Sequence, residues 1–207
     1  MSSSNLIRWS GLAGLAGGIL VAVFDVAEFV VIGGRPESAA AGTSAVIIVR
    51  VAFLVPIVLT MLALVGLYAR QAEQAGTLGL VAFLVAFIGT AMVFGLQWSA
   101  AFIGPWLAEA APGLVDAEPS GLLTAAFLLS FLLFALGWLL FGLASLQARV
   151  LPRGAAVPLI AGAVLFFVFL LLEVPGSGAV FGAALAWMGY AVWTRGGQPA
   201  LAPTAAK

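Results

Sequence analysis

Apolar residues fill this chain in blocks too long and too unbroken for a strand's alternation or for the one-sided stripe of a soluble helix. Six blocks cover residues 6–33, 44–68, 77–103, 121–147, 155–174 and 177–194, each close to the roughly 20 residues that an α-helix needs to cross the hydrocarbon core. Only Pro175 and Gly176 part the last two, which predicts a tight antiparallel hairpin. None of the blocks alternates as a barrel strand does, and a helix satisfies its own backbone polar groups inside a bilayer. The pattern predicts an all-α, polytopic membrane protein. One domain, 1–195, forms a bundle of six transmembrane helices with short loops, and a disordered tail, 196–207, carries Pro199 and Pro203.

The start of the chain, Met1 to Arg8, is short, polar and positively charged like the front of a signal peptide. The apolar run behind it is much longer than the roughly 7–15 residues of a signal h-region, so it reads as an uncleaved first span.

Composition agrees with the pattern and narrows it. Of the 207 residues 64% are hydrophobic and 8% charged, with a mean hydropathy of +1.22, whereas a soluble domain is about 45–50% apolar and about 25% charged. Six spans use most of the residues and leave no soluble domain, so any chemistry sits in or beside the bilayer. An Ala- and Gly-rich chain that prefers Arg to Lys suits a bacterial, GC-rich source.

The cations set an orientation. An even number of spans puts both termini on one side, and that side collects Arg8, Arg70, Arg149, Arg153, Arg195 and Lys207. The other side has Arg35, with Arg50 inside the second block, and a long loop carrying Glu109, Asp116 and Glu118. The positive-inside rule then places both termini in the cytoplasm, in a multi-pass protein of the cell membrane.

Absent residue types exclude whole classes of chemistry. Without Cys or His there is no disulfide framework, no thiolate or imidazole metal site and no axial haem histidine. Lys207 is the only lysine, so no Schiff base or Ser-Lys dyad lies within a span. No basic run points to nucleic acid. Serines lack a base, and Gly11 to Gly18 lies in an apolar helix with no downstream Lys, so it is no phosphate loop. The loop acids match no EF-hand spacing and read as solvated. No enzyme motif, metal or cofactor is expected.

The first block is the most informative. Gly11, Gly14, Gly18, Asp25 and Glu28 recur at three- and four-residue steps, making one face small and then acidic. Small faces admit a neighbouring helix closely. Gly14/Gly18 and Gly178/Gly182 are such faces, suited to packing or to a homo-oligomeric or membrane partner. At a rise of about 1.5 Å per residue, Asp25 lies roughly 10 Å, Glu28 roughly 6 Å and Arg50 roughly 9 Å below the same surface. An unpaired charge at a helix centre costs about 2.5–3.5 kcal/mol, and an arginine fork on one or both acids offsets much of that. Gln97, Trp98 and Glu173 lie towards the same surface, so polar groups gather in the outer half of the membrane region.

Two functions follow. In the first, an outward-facing vestibule lined by Asp25, Glu28, Arg50, Gln97, Trp98 and Glu173 binds a small-molecule or lipid ligand of small or amphipathic kind. The alternative is a structural or accessory subunit in which Arg50 with Asp25 or Glu28 is a buried salt-bridge clasp. A proton- or cation-coupled transporter would need polar groups through the inner half, where only Thr60, Thr90 and Ser145 occur.

Overall fold

The computed structural model describes residues 3–151, 153–172, 174 and 176–195. Glu173 and the tail 196–207, both read from the sequence above, lie outside the described residues. Among the described residues the fold is helical throughout: α1 (Ser3–Ile32), α2 (Glu37–Ala41), α3 (Ser44–Ala110), α4 (Pro112–Val115), α5 (Gly121–Ala148), α6 (Arg153–Leu171) and α7 (Ser177–Arg195). Four of them, α1, α3, α5 and α6, are long and apolar enough to cross a membrane.

At 67 residues α3 would measure about 100 Å if straight, three times the thickness of a hydrocarbon core of about 30 Å. It is not straight. Gly76 takes φ 55°, ψ −147°, a conformation with no helical continuation that a residue without Cβ reaches most readily. There the chain turns back on itself. Tyr68 and Phe83, fifteen positions apart, stack with ring centroids 4.5 Å apart. The arms 44–75 and 77–110 therefore run side by side.

With α3 folded in two, each long segment packs on the next around a ring: α1, the first arm of α3, its second arm, α5, α6, α7, and back to α1. Small residues set the spacing. Gly14 faces Gly189 across the α1–α7 seam, where a Cβ would lie 3.1 Å from the Gly189 Cα. Further along the seam a Cβ on Gly182 would lie 2.9 Å from the Ala22 nitrogen. The faces Gly14/Gly18 and Gly178/Gly182 thus meet each other within one chain, and close backbone approach is the packing term that remains when the surroundings are as apolar as the core. Gly89 and Gly137 bring α5 equally close to the second arm of α3.

The ring has two unlike ends. The end holding the start of α1, the end of α7 and the Gly76 turn is filled by Leu64, Leu67, Trp138, Phe141, Leu159, Leu185 and Met188, all fully buried. The opposite end carries α2, α4 and the carboxylates of Glu28 and Glu37. Outward faces are strongly apolar, with Val30, Ile48, Leu122 and Leu172 each more than 60% exposed, a surface suited to lipid.

Candidate functional site

Arg50 is the centre of the carboxylate end. It sits on the first arm of α3 and is only 5% exposed. Its Nε donates to Glu28 Oε1 of α1 at 2.8 Å. Its Nη1 and Nη2 donate to the two carboxylate oxygens of Glu37 on α2, at 2.6 and 3.2 Å. A planar fork can meet two carboxylates in this way because its donors lie along separate edges. Gln97 Nε2, on the second arm of α3, reaches the other oxygen of Glu28 at 3.4 Å. One guanidinium thus ties α1, α2 and both arms of α3 together.

Glu37 was not among the residues singled out from the sequence. Its signal was the Pro36-Glu37 pair, a helix-start pattern in a loop too long for a tight turn, beside an arginine with no partner of its own helix. The chain after α1 turns through Gly33 and Gly34, both at positive φ. Arg35 caps the end of α1 by donating to the Ile32 carbonyl at 2.9 Å and to that of Val31. The short helix α2 then folds back over the end of the ring. Asp116, after α4, holds it there, accepting from the Ser38 N–H at 2.9 Å and from the Ser38 hydroxyl. These two bonds, the hydroxyl's first, hold the Asp116 carboxyl below its ordinary range.

Asp25 is not a partner of Arg50. It points across the seam to α7, where Oδ2 accepts from the Ala179 N–H at 3.2 Å. The helix start offers free N–H groups and the positive end of the helix dipole, so Asp25 caps α7 from a neighbouring helix. Gly178 makes room for it: a Cβ there would lie 2.6 Å from Asp25 Oδ1.

Between Asp25 and Glu28 and the filled end lies a cavity of about 190 Å³. Every segment of the ring lines it: Val21, Asp25 and Glu28 from α1, Phe53, Ile57 and Thr60 from the first arm of α3, Thr90, Val93 and Gln97 from the second, Phe131 and Phe134 from α5, Phe166 from α6, and Gly178 and Phe181 from α7. The walls are aromatic, and Phe134 packs on Phe166 and Phe181 at centroid distances of 4.9 and 4.8 Å. At the floor, the Trp138 indole N–H donates to Thr90 Oγ1 at 3.1 Å, and Thr90 donates to the Ala86 carbonyl at 2.6 Å. Thr60 likewise donates to the Pro56 carbonyl at 2.8 Å. The floor is thereby self-satisfied, while the other end is lined by the acidic residues Asp25 and Glu28.

Of the sequence-derived residues, the structure brings Asp25, Glu28 and Gln97 to the cavity and sets Arg50 behind Glu28, outside the lining. Trp98 turns outward, 45% exposed, its ring against Phe102 at 5.3 Å. Among the described residues no three acidic side chains group as metal ligands; the guanidinium of Arg50 stands between Glu28 and Glu37.

No protein-family model, curated protein or solved structure matches the chain.

Proposed function

We propose that the chain is a multi-pass protein of the cell membrane that binds a small amphipathic ligand. Its spans are α1, the two arms of α3, α5, α6 and α7, with both termini in the cytoplasm by the distribution of arginines, so the carboxylate end faces outward. The observation that carries this reading is the cavity to which all six segments contribute, apolar in its walls and acidic at one end. Apolar cavities of about 150 Å³ take up a molecule the size of benzene, so 190 Å³ suits an aromatic ring or a short alkyl body. The fixed charges favour a cationic head. Glu28, Glu37 and Arg50 together leave one carboxylate charge in excess, and Asp25 adds a second acidic side chain to the lining. Phenylalanine faces also attract an ammonium group.

The test uses three probes of one shape: benzylamine, benzyl alcohol and benzoate, titrated into the detergent-solubilised protein with thermal unfolding as readout. Benzylamine is expected to stabilise most and benzoate least. Val93→Phe fills the cavity and abolishes the response, at a cost of about 1–3 kcal/mol if the added ring overpacks. Equal responses to all three probes, or an undiminished response in Val93→Phe, sink the proposal.

A second reading, a structural or accessory subunit, draws on Arg50, whose ion pairs lie beside the cavity rather than within its lining. Under that reading the three probes leave stability unchanged, while loss of Arg50 is severe.

A further inference from the structure

Three arginines meet at the other end of the ring. Arg70 from the first arm of α3, Arg149 at the end of α5 and Arg153 at the start of α6 line one recess of about 260 Å³, completed by Val150, Leu151, Ala191 and Val192. Among the described residues no acidic side chain lines it. The described ion pairs both belong to Arg50, and none of these three guanidinium groups donates a hydrogen bond to a described residue. Glu73, one turn beyond Arg70 on the same helix, is exposed and unpaired with it. Three permanent positive charges from three segments thus share a space with no counter-charge among the described residues lining it.

The backbone adds a second, independent observation. Arg149 is the one described non-glycine residue at positive φ (φ 56°, ψ 17°), and it forms the left-handed cap of α5. That position favours glycine. A side chain kept there against backbone preference points to a use for the side chain. Next to Arg70, Gln71 is fully buried with neither amide atom partnered, so this layer holds further unsatisfied polar capacity.

We infer that the recess lined by Arg70, Arg149 and Arg153 binds a phosphate group, of an anionic lipid headgroup or of a soluble phosphate. Guanidinium forks match phosphate oxygens in pairs, and basic pockets between membrane helices take lipid phosphates. Tyr68 and Trp193 stand beside the same end, as interfacial aromatics do at headgroup level. The inference shares only the membrane setting with the proposed function and is independent of the cavity.

Native mass spectrometry of the full chain in detergent, titrated with phosphatidylglycerol against phosphatidylcholine, provides the test. A parallel titration with inorganic phosphate is read by thermal unfolding. Phosphatidylglycerol is expected to bind preferentially. Each arginine lost should weaken it about fivefold, so that Arg70→Gln with Arg153→Gln weakens it about 25-fold. Arg149→Gly keeps the fold, because glycine takes the left-handed cap without strain, and weakens binding about fivefold. If inorganic phosphate stabilises the wild type and displaces the lipid, the natural ligand is a soluble phosphate and the site stands. Absence of both lipid preference and phosphate response in the wild type overturns it. So does a lipid preference that survives unchanged in Arg149→Gly and in the double variant.

Discussion

The two ends of this helical ring use the same segments to opposite effect. Towards the arginine end, Leu64, Leu67, Phe141, Leu185 and Met188 close the centre completely, and glycines bring backbone against backbone. Towards the carboxylate end, the same helices present Phe53, Phe131, Phe166 and Phe181 around an open space, with Asp25 and Glu28 at its edge. The floor between them is the Trp138–Thr90 hydrogen bond. A bundle in an apolar solvent gains little by burying more apolar surface, so close packing must supply its cohesion. A cavity forgoes that packing. The filled half gives the ring its stability, and the ion pairs of Arg50 hold the open half together at its rim.

The largest expected effect tests the filled half. Gly189→Val sets a side chain directly on the backbone of α1 at Gly14 and Leu15. Neither backbone can give way, so the loss is about 3 kcal/mol or more, the upper end of overpacking costs. Gly95→Ala, on the second arm of α3 where an added Cβ meets nothing within 4 Å, should change stability by less than about 1 kcal/mol. Unfolding midpoints in a denaturing detergent measure both. Similar losses from the two variants would erase the distinction between a backbone-packed seam and an open surface.

Next in size is the rim. Arg50→Met leaves Glu28 and Glu37 facing each other without a cation. A fully buried pair broken in this way costs about 3–5 kcal/mol, but the Glu37 side chain is 40% exposed and can turn to water, so about 2–3 kcal/mol is expected. Glu28→Gln combined with Arg50→Met should cost less than the sum of the single changes, since removing one partner relieves the other. Additive losses in that cycle would mean the ion pair does not bind the rim together.

How far the chain itself announces this arrangement depends on the residue type. The helical character and the apolar exterior are legible because long apolar blocks admit little else. The α1–α7 seam is legible as two matching small faces, Gly14/Gly18 and Gly178/Gly182. The turn in α3 is only partly so: residues 70–75 are good helix formers, and the helix runs on through them until Gly76 reverses it. Of the cavity only the acidic end is legible, where Asp25, Glu28 and Gln97 stand out among apolar residues; the apolar walls are not. Its phenylalanines and valines are residue types that also cover the outer faces, and helices apolar all round carry no periodic signal to tell inside from outside. Charges were easier to rank by depth than to pair. Asp25 and Glu28 lie at similar depth to Arg50, yet the α7 N-terminus takes Asp25, and Glu37 arrives from a segment whose fold-back no helical periodicity encodes.

The smallest expected effect lies at the outermost layer of the open half, where Asp116 fastens α2 through Ser38. Because those bonds favour the ionised carboxylate and lower its folded pKa, their contribution is present in full above the unfolded value of about 3.9. It is lost as pH falls through the folded pKa. Acid should therefore loosen α2 before it opens the ring. Asp116→Asn still accepts from the Ser38 N–H but cannot titrate, so as pH falls below about 3.9 its α2 amides should gain less exchange, beyond the intrinsic change, than those of the wild type. Glu28, Glu37 and Asp25 are common to both proteins, so the difference between wild type and variant isolates this carboxyl. An identical acid response in the two would mean that α2 is held by the Glu37–Arg50 pair alone, and the rim would then depend on a single guanidinium.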